Sequence, residues 1–159
     1  MARLHLGRTL IHQGRCEEGQ ALLDGAVDHS RQHGIPFDLI QTLYWAADSL
    51  RVQGGTDEAA ALFDEVLALG ELQALPLYPT VGRIGRLATI PSALRPLVET
   101  ADLVQRARMS GERWGDVTFL CLLAETQQAY GDIDAALDTV ATGFDACAPA
   151  PCAKASYRP

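Results

Sequence analysis

A set of small and large apolar residues recurs at a spacing of 40 positions, and no other feature of this 159-residue sequence restricts its fold as much. Leu6-Gly7, Leu10, Gly14, Gly19, Leu23 and Ala26 are matched by Ala46-Ala47, Leu50, Gly54, Ala59, Phe63 and Val66, each 40 residues later. The polar residues between them keep the same register, with Cys16-Glu17-Glu18 aligned to Thr56-Asp57-Glu58. A further copy, Leu123-Ala124, Gly131, Ala136 and Val140, stands 77 positions after the second. Because 77 is close to two periods, a fourth and more worn copy is expected between them. A fixed period of this length marks stacked supersecondary units, each burying its apolar face on the next.

The chemistry of the repeat points to helix pairs. Small residues (Gly7, Gly19, Ala47, Ala59, Ala124, Ala136) suit positions where two helices cross closely, and Leu10, Leu23, Leu50, Phe63 and Val140 suit the adjoining layer. Gly14, Gly54 and Gly131 fall where a first helix would end in a left-handed residue. The acidic pair that follows suits the positive end of a second helix, with Thr56 expected as an N-cap. Leu22, Leu23, Ala26 and Val27 form one helical stripe, and Leu62, Phe63, Val66 and Leu67 the next.

Helices are expected near 2–13, 17–33, 37–53, 57–70, 77–88, 93–109, 113–130 and 133–146, with an irregular tail over 147–159. Gly34 and Pro36 separate the first two hairpins, and Gly70 to Pro76 the second from the third. The third hairpin is degenerate: its turn, Thr89-Ile90-Pro91-Ser92, has no glycine, and Pro96 falls in the first turn of the helix after it. The predicted fold is all-α, a solenoid of about four helix hairpins with seven or eight helices. Helix content above about 65% with no strand pairing follows from the lack of sustained period-2 alternation.

Composition narrows the function classes. Thirteen Lys+Arg against twenty Asp+Glu give a net charge of −7, which disfavours nucleic acid as a partner. No apolar run approaches the roughly 18 residues of a membrane helix, and the first residues lack a signal-peptide core, so a cytoplasmic location without membrane contact is expected. Cys16, Cys121, Cys147 and Cys152 form no C-x-x-C pair and are expected reduced.

The Leu-Gly-x2-Leu and Gly-x4-Gly/Ala-x3-Leu/Phe spacings resemble the tetratricopeptide pattern. More narrowly, LGRTLIHQGRCEEGQALLDGAVDHSRQHGIPFDL and SGERWGDVTFLCLLAETQQAYGDIDAAL are similar to the repeat region that follows the ATPase module in bacterial class III nucleotide cyclases and maltose-activator-like transcriptional regulators. The likeness leaves out the stretch 76–100. Arg3, Leu43 and Leu120 stand where the consensus has Trp, Gln127 replaces the large residue supplied by Leu10 and Leu50, and Gly143 replaces Ala26 and Val66. The resemblance implies a scaffold for a protein, a peptide or a neighbouring domain, held on the concave face lined by first helices. Arg8, Gln41, Tyr44, Asp48, Arg51, Thr118, Glu125 and Gln128 are the residues expected there.

No active site, cofactor site or metal site is expected. His29 and His33 have a metal-clamping spacing but no third ligand, and read as a solvated pair at a helix end. Cys147-Ala-Pro-Ala-Pro-Cys152 lacks zinc-knuckle spacing. Glu17-Glu18 and Asp57-Glu58 recur at one place in two hairpins, as capping residues do and a catalytic pair does not. Gly82-Arg83-Ile84-Gly85-Arg86 lacks the Lys-Ser/Thr ending of a phosphate loop, and Arg83 and Arg86 are expected on one helix face. Trp45 and Trp114 are expected to pack hairpins together. The alternative function is ligand sensing, with a small effector in the solenoid's curve. Ile133, Leu137, Val140, Ala141 and Phe144 on the final helix, with a tail ending Tyr157-Arg158-Pro159, predict an apolar outer face that is open, tail-covered or used for self-association.

Overall fold

In a computed structural model, residues 2–110 and 115–147 are described, and 84% of them are helical with no strand. Eight α-helices follow one another: α1 (Ala2–His12), α2 (Cys16–His33), α3 (Pro36–Val52), α4 (Thr56–Leu72), α5 (Leu77–Ala88), α6 (Leu97–Met109), α7 (Asp116–Ala129) and α8 (Ile133–Cys147). A short 3₁₀ turn, Ser92–Leu94, lies between α5 and α6. Trp114 and the tail beyond Cys147 lie outside the described residues. No helix among the described residues is long and apolar enough to cross a membrane.

Helices adjacent in sequence pack on one another, and α1 with α2, α3 with α4, and α7 with α8 are among the close pairs. Each of these pairs turns at the glycine expected to end its first helix: Gly14, Gly54 and Gly131 have φ of 82°, 89° and 82°. The backbone locks in the same way at each, for instance with the amides of Gly14 and Arg15 donating to the carbonyls of Ile11 and Leu10 at 2.9 Å. Gly7 and Gly19 meet at the α1–α2 crossing, where a β-carbon on Gly7 would lie 2.8 Å from the Gly19 carbonyl.

The third pair departs from this plan. α5 lies on α4 as closely as α3 does, while α5 and α6 touch far less. Gly82 and Gly85 bring α5 against Leu67 and Phe63, so α5 serves as a cover for the α3–α4 hairpin. The helix expected over 93–109 is split: the 3₁₀ turn is followed by extended residues, and Pro96 caps α6 from outside the first turn. Two further boundaries shift. Gly70 is a buried residue inside α4 and not part of a linker, because Tyr78 and Pro79 pack on it. Gly55, not Thr56, is the N-cap of α4.

Most of the core runs from Val27 through α3, α4 and α5 to Leu122, centred on Phe63, Ile40 and Leu43. A smaller cluster of Leu4, Ile11, Leu23 and Ala26 fills the first hairpin, and Trp45 packs against both. Phe63 is 1% exposed, as expected from its repeat position.

Candidate partner-binding surfaces

The 40-residue period puts Arg8 of α1 and Asp48 of α3 at the same register, and 77 residues further on Glu125 of α7. The structure shows what each meets. The Arg8 guanidinium lies over the Trp45 ring, 3.7 Å from its centroid. Burial pushes Arg8 below the ordinary arginine value, with Asp48 and Tyr44 opposing that shift. Asp48 is held by Arg51, whose Nη2 donates to Oδ1 at 2.8 Å one turn along the helix. These four residues form one half-buried polar seam between α1 and α3.

Tyr44 does not belong to that open surface. It is 2% exposed and packs edge-on to Trp45 and Phe63, with ring centroids 5.0 and 5.7 Å away. Burial first, and then the Asp48 carboxylate, hold its phenol well above the usual tyrosine value. The expectation that it lines a partner surface is corrected by this packing: the ring is buried between Trp45 of its own helix and Phe63 of α4.

Gln41 lies on the same helix but opens onto a different feature. Its side-chain amide donates to the Tyr78 hydroxyl at 3.3 Å. Both residues line a groove of about 720 Å³ between α3, α5 and the end of α6, with Phe37, Leu77, Thr80 and Met109 among its walls. Phe37 stands edge-on to Tyr78 at 5.8 Å. Arg106 reaches the rim while paired to Asp102 at 2.6 Å. The chain enters the groove through Ala74, whose φ of 52° makes it the one non-glycine residue in the left-handed region among the described residues.

Thr118, Glu125 and Gln128 share α7, where Thr118 is half-buried and the other two are exposed. Glu125 accepts a bond from Nη1 of Arg95 at 3.1 Å. Arg95 is a residue that sequence reasoning missed. Its backbone sits in the loop before α6, yet only 5% of it is exposed. Nε donates to the carbonyls of Leu87 and Ile90 at 3.0 and 2.8 Å, tying off the end of α5, and the Tyr130 hydroxyl donates to the Arg95 carbonyl at 2.9 Å. Seven of the eight expected surface residues therefore fall into three separate places, and the eighth, Tyr44, lies in the core.

His29 and His33 are both exposed, with ring centroids 5.2 Å apart. Among the described residues no group of three His, Cys, Asp or Glu side chains could hold a metal ion. Cys16 and Cys121 are exposed free thiols. Arg83 and Arg86 project from one face of α5 toward Glu71 and Asp64, at 3.8 and 3.1 Å. Comparison with protein-family models, with curated proteins and with solved structures found no match.

Proposed function

We propose that this chain is a non-catalytic interaction module of the tetratricopeptide kind, a right-handed helical solenoid that holds a protein or peptide. Its context would be a bacterial, cytoplasmic signalling or regulatory protein of several domains. The observation that supports binding is the groove between α3, α5 and α6: apolar walls of Phe37, Leu77 and Met109 beside the polar atoms of Gln41, Thr80 and Arg106. That combination suits an extended segment with one apolar anchor, because the apolar walls take the side chain and the polar atoms take its backbone. Selection of a displayed random peptide library on the full chain tests the proposal. Peptides with an apolar anchor should be enriched, and Phe37→Ser or Met109→Glu should remove that enrichment. If the wild type enriches no sequence, or the variants retain the same ones, the proposal fails.

The volume of the groove, about 720 Å³, also matches that of small-molecule sites. This favours a second reading, in which a small effector occupies the same place. A ligand at a hundred times its Kd raises stability by about 2.7 kcal/mol, so a thermal-shift screen of metabolites would reveal one.

A further inference from the structure

A second groove, of about 400 Å³, lies where α2, α3 and α4 meet. Val27, Ala46, Leu50 and Leu62 give it apolar walls. Asp24, Asp28 and Glu58 line it as well, and all three are exposed. Each outer helix contributes one face. Gln20, Asp24, Val27, Asp28 and Arg31 recur at helical spacing along α2, as Glu58, Ala61 and Leu62 do along α4. Gln20 and Arg31 stand about 16 Å apart along the helix axis, the length of about five extended residues.

The charge lining this groove is one-sided. Among the described residues Arg31 is its one basic member, and Nη2 of Arg31 is already bound to Glu65 at 2.6 Å. Gln20 donates to Asp24 at 2.7 Å, but no ion pair among the described residues reaches Asp24, Asp28 or Glu58. The repeat shows what is missing. Forty positions on, Asp24 becomes Asp64, and Asp64 is met by Nε of Arg86 at 3.1 Å. The position matching Arg86 is Ala46, which lines the groove and is 2% exposed. The first register therefore keeps the carboxylate and lacks its arginine.

We infer that this groove binds an extended segment of a partner protein in which an aliphatic residue has an arginine two positions to either side. Side chains two apart in an extended chain share a face. The aliphatic one meets Val27, Leu50 and Leu62, and the arginines meet the carboxylates of α2 and α4, as Arg86 meets Asp64. The volume suits the width of one extended strand better than a helix about 10 Å across. An acidic segment is repelled. The groove shares no lining residue with the one at Phe37 and Met109, and it adds a second class of partner to the module.

The test titrates the full chain, labelled with nitrogen-15, with the end-blocked peptide Arg-Ala-Leu-Ala-Arg at low salt. Saturable amide shifts should centre on Asp24, Asp28 and Leu62 and leave the surroundings of Phe37 and Met109 unmoved. Asp24→Asn with Asp28→Asn should weaken binding about three- to tenfold, as loss of two exposed ion pairs does. Asp134→Asn with Asp138→Asn, the same charge change on α8, should leave it unaltered, and so should Phe37→Ser. Glycine in place of the peptide leucine should weaken binding, and glutamates in place of both arginines should abolish it. The inference is overturned by the lack of saturable shifts at millimolar peptide, by equal weakening from the α8 pair, or by equal binding of the charge-reversed peptide. It is equally overturned if the same amides move without peptide, on concentrating the protein (a second copy) or on Lys154→Glu or Arg158→Glu (the chain's own tail).

Discussion

Gly85 lies flat against the ring of Phe63, so closely that a β-carbon at Gly85 would fall inside the ring's van der Waals volume. The contact joins the second helix of one hairpin to the helix that covers it, and Tyr44 also packs against the ring, with centroids 5.7 Å apart. Overpacking such a site costs typically 1–3 kcal/mol, and Gly85→Ala should reach the upper part of that range because an aromatic ring cannot yield as a flexible chain end does. Phe63→Ala should cost about 3–5 kcal/mol through the cavity it leaves. The double variant should cost clearly less than the sum, since removing the ring makes room for the methyl. Urea midpoints of the four proteins decide this, and strict additivity would show that the two residues do not share the contact.

Ala74 occupies a position that the hairpins elsewhere give to glycine. After α4 the amide of Leu75 donates to the Gly70 carbonyl at 3.0 Å, the same closure that follows Gly14, Gly54 and Gly131, but the left-handed residue carries a side chain. An L-residue there costs about 1–2 kcal/mol, offset in part by the greater chain entropy of glycine when unfolded. Ala74→Gly should therefore raise stability by about 0.5–1 kcal/mol, seen as a higher melting temperature. A lower one would mean that the Ala74 methyl makes contacts worth more than the strain.

The arrays of glycine and small residues made the hairpins legible before any coordinates, because each end and each crossing needs a residue type that composition displays. Phe63 and the helix bounds followed from that register within a few residues. The third pair was illegible for the converse reason: α5 ends on the Arg95 side chain and not on a glycine, and arginine in a loop carries no signal of burial. The candidate surface shows the same divide. Register put Arg8 and Asp48 at equivalent positions, yet it could not tell that Tyr44 faces Phe63, since that contact is made between two helices. Phe37, Tyr78 and Met109 form one groove from three helices, and local spacing holds no trace of that.

Arg95 is the tie between α5 and α7, and its two kinds of contact differ in weight. Its guanidinium is 6% exposed where it meets the α5 carbonyls, whereas the Glu125 carboxylate is 59% exposed. Arg95→Met should cost roughly 3 kcal/mol, because buried carbonyls lose their charged donor. Glu125→Gln should cost less than about 1 kcal/mol, as an exposed ion-pair partner does. Chemical denaturation of both variants checks the order, and an equal loss from the two would place the stabilisation in the ion pair.

The buried phenol of Tyr44 gives the fold an alkaline limit with a definite sign. Burial and the neighbouring Asp48 raise its proton affinity in the folded chain, so the folded state keeps the proton that the unfolded state gives up near pH 10. A group whose pKa is raised on folding contributes its full stability below the unfolded value, and that contribution falls as pH climbs from there toward the folded value. Stability should thus be flat in this respect up to about pH 9 and decline above about pH 10. Tyr44→Phe removes the titrating group and retains the ring between Trp45 and Phe63, so its melting temperature should fall less steeply over the same alkaline range. Melting curves from pH 8 to 11 for both proteins, with tyrosinate absorbance followed in parallel, measure the effect. Parallel declines in the two would assign the alkaline loss to other groups, and an ordinary ionisation of Tyr44 in the intact fold would contradict its place in the core.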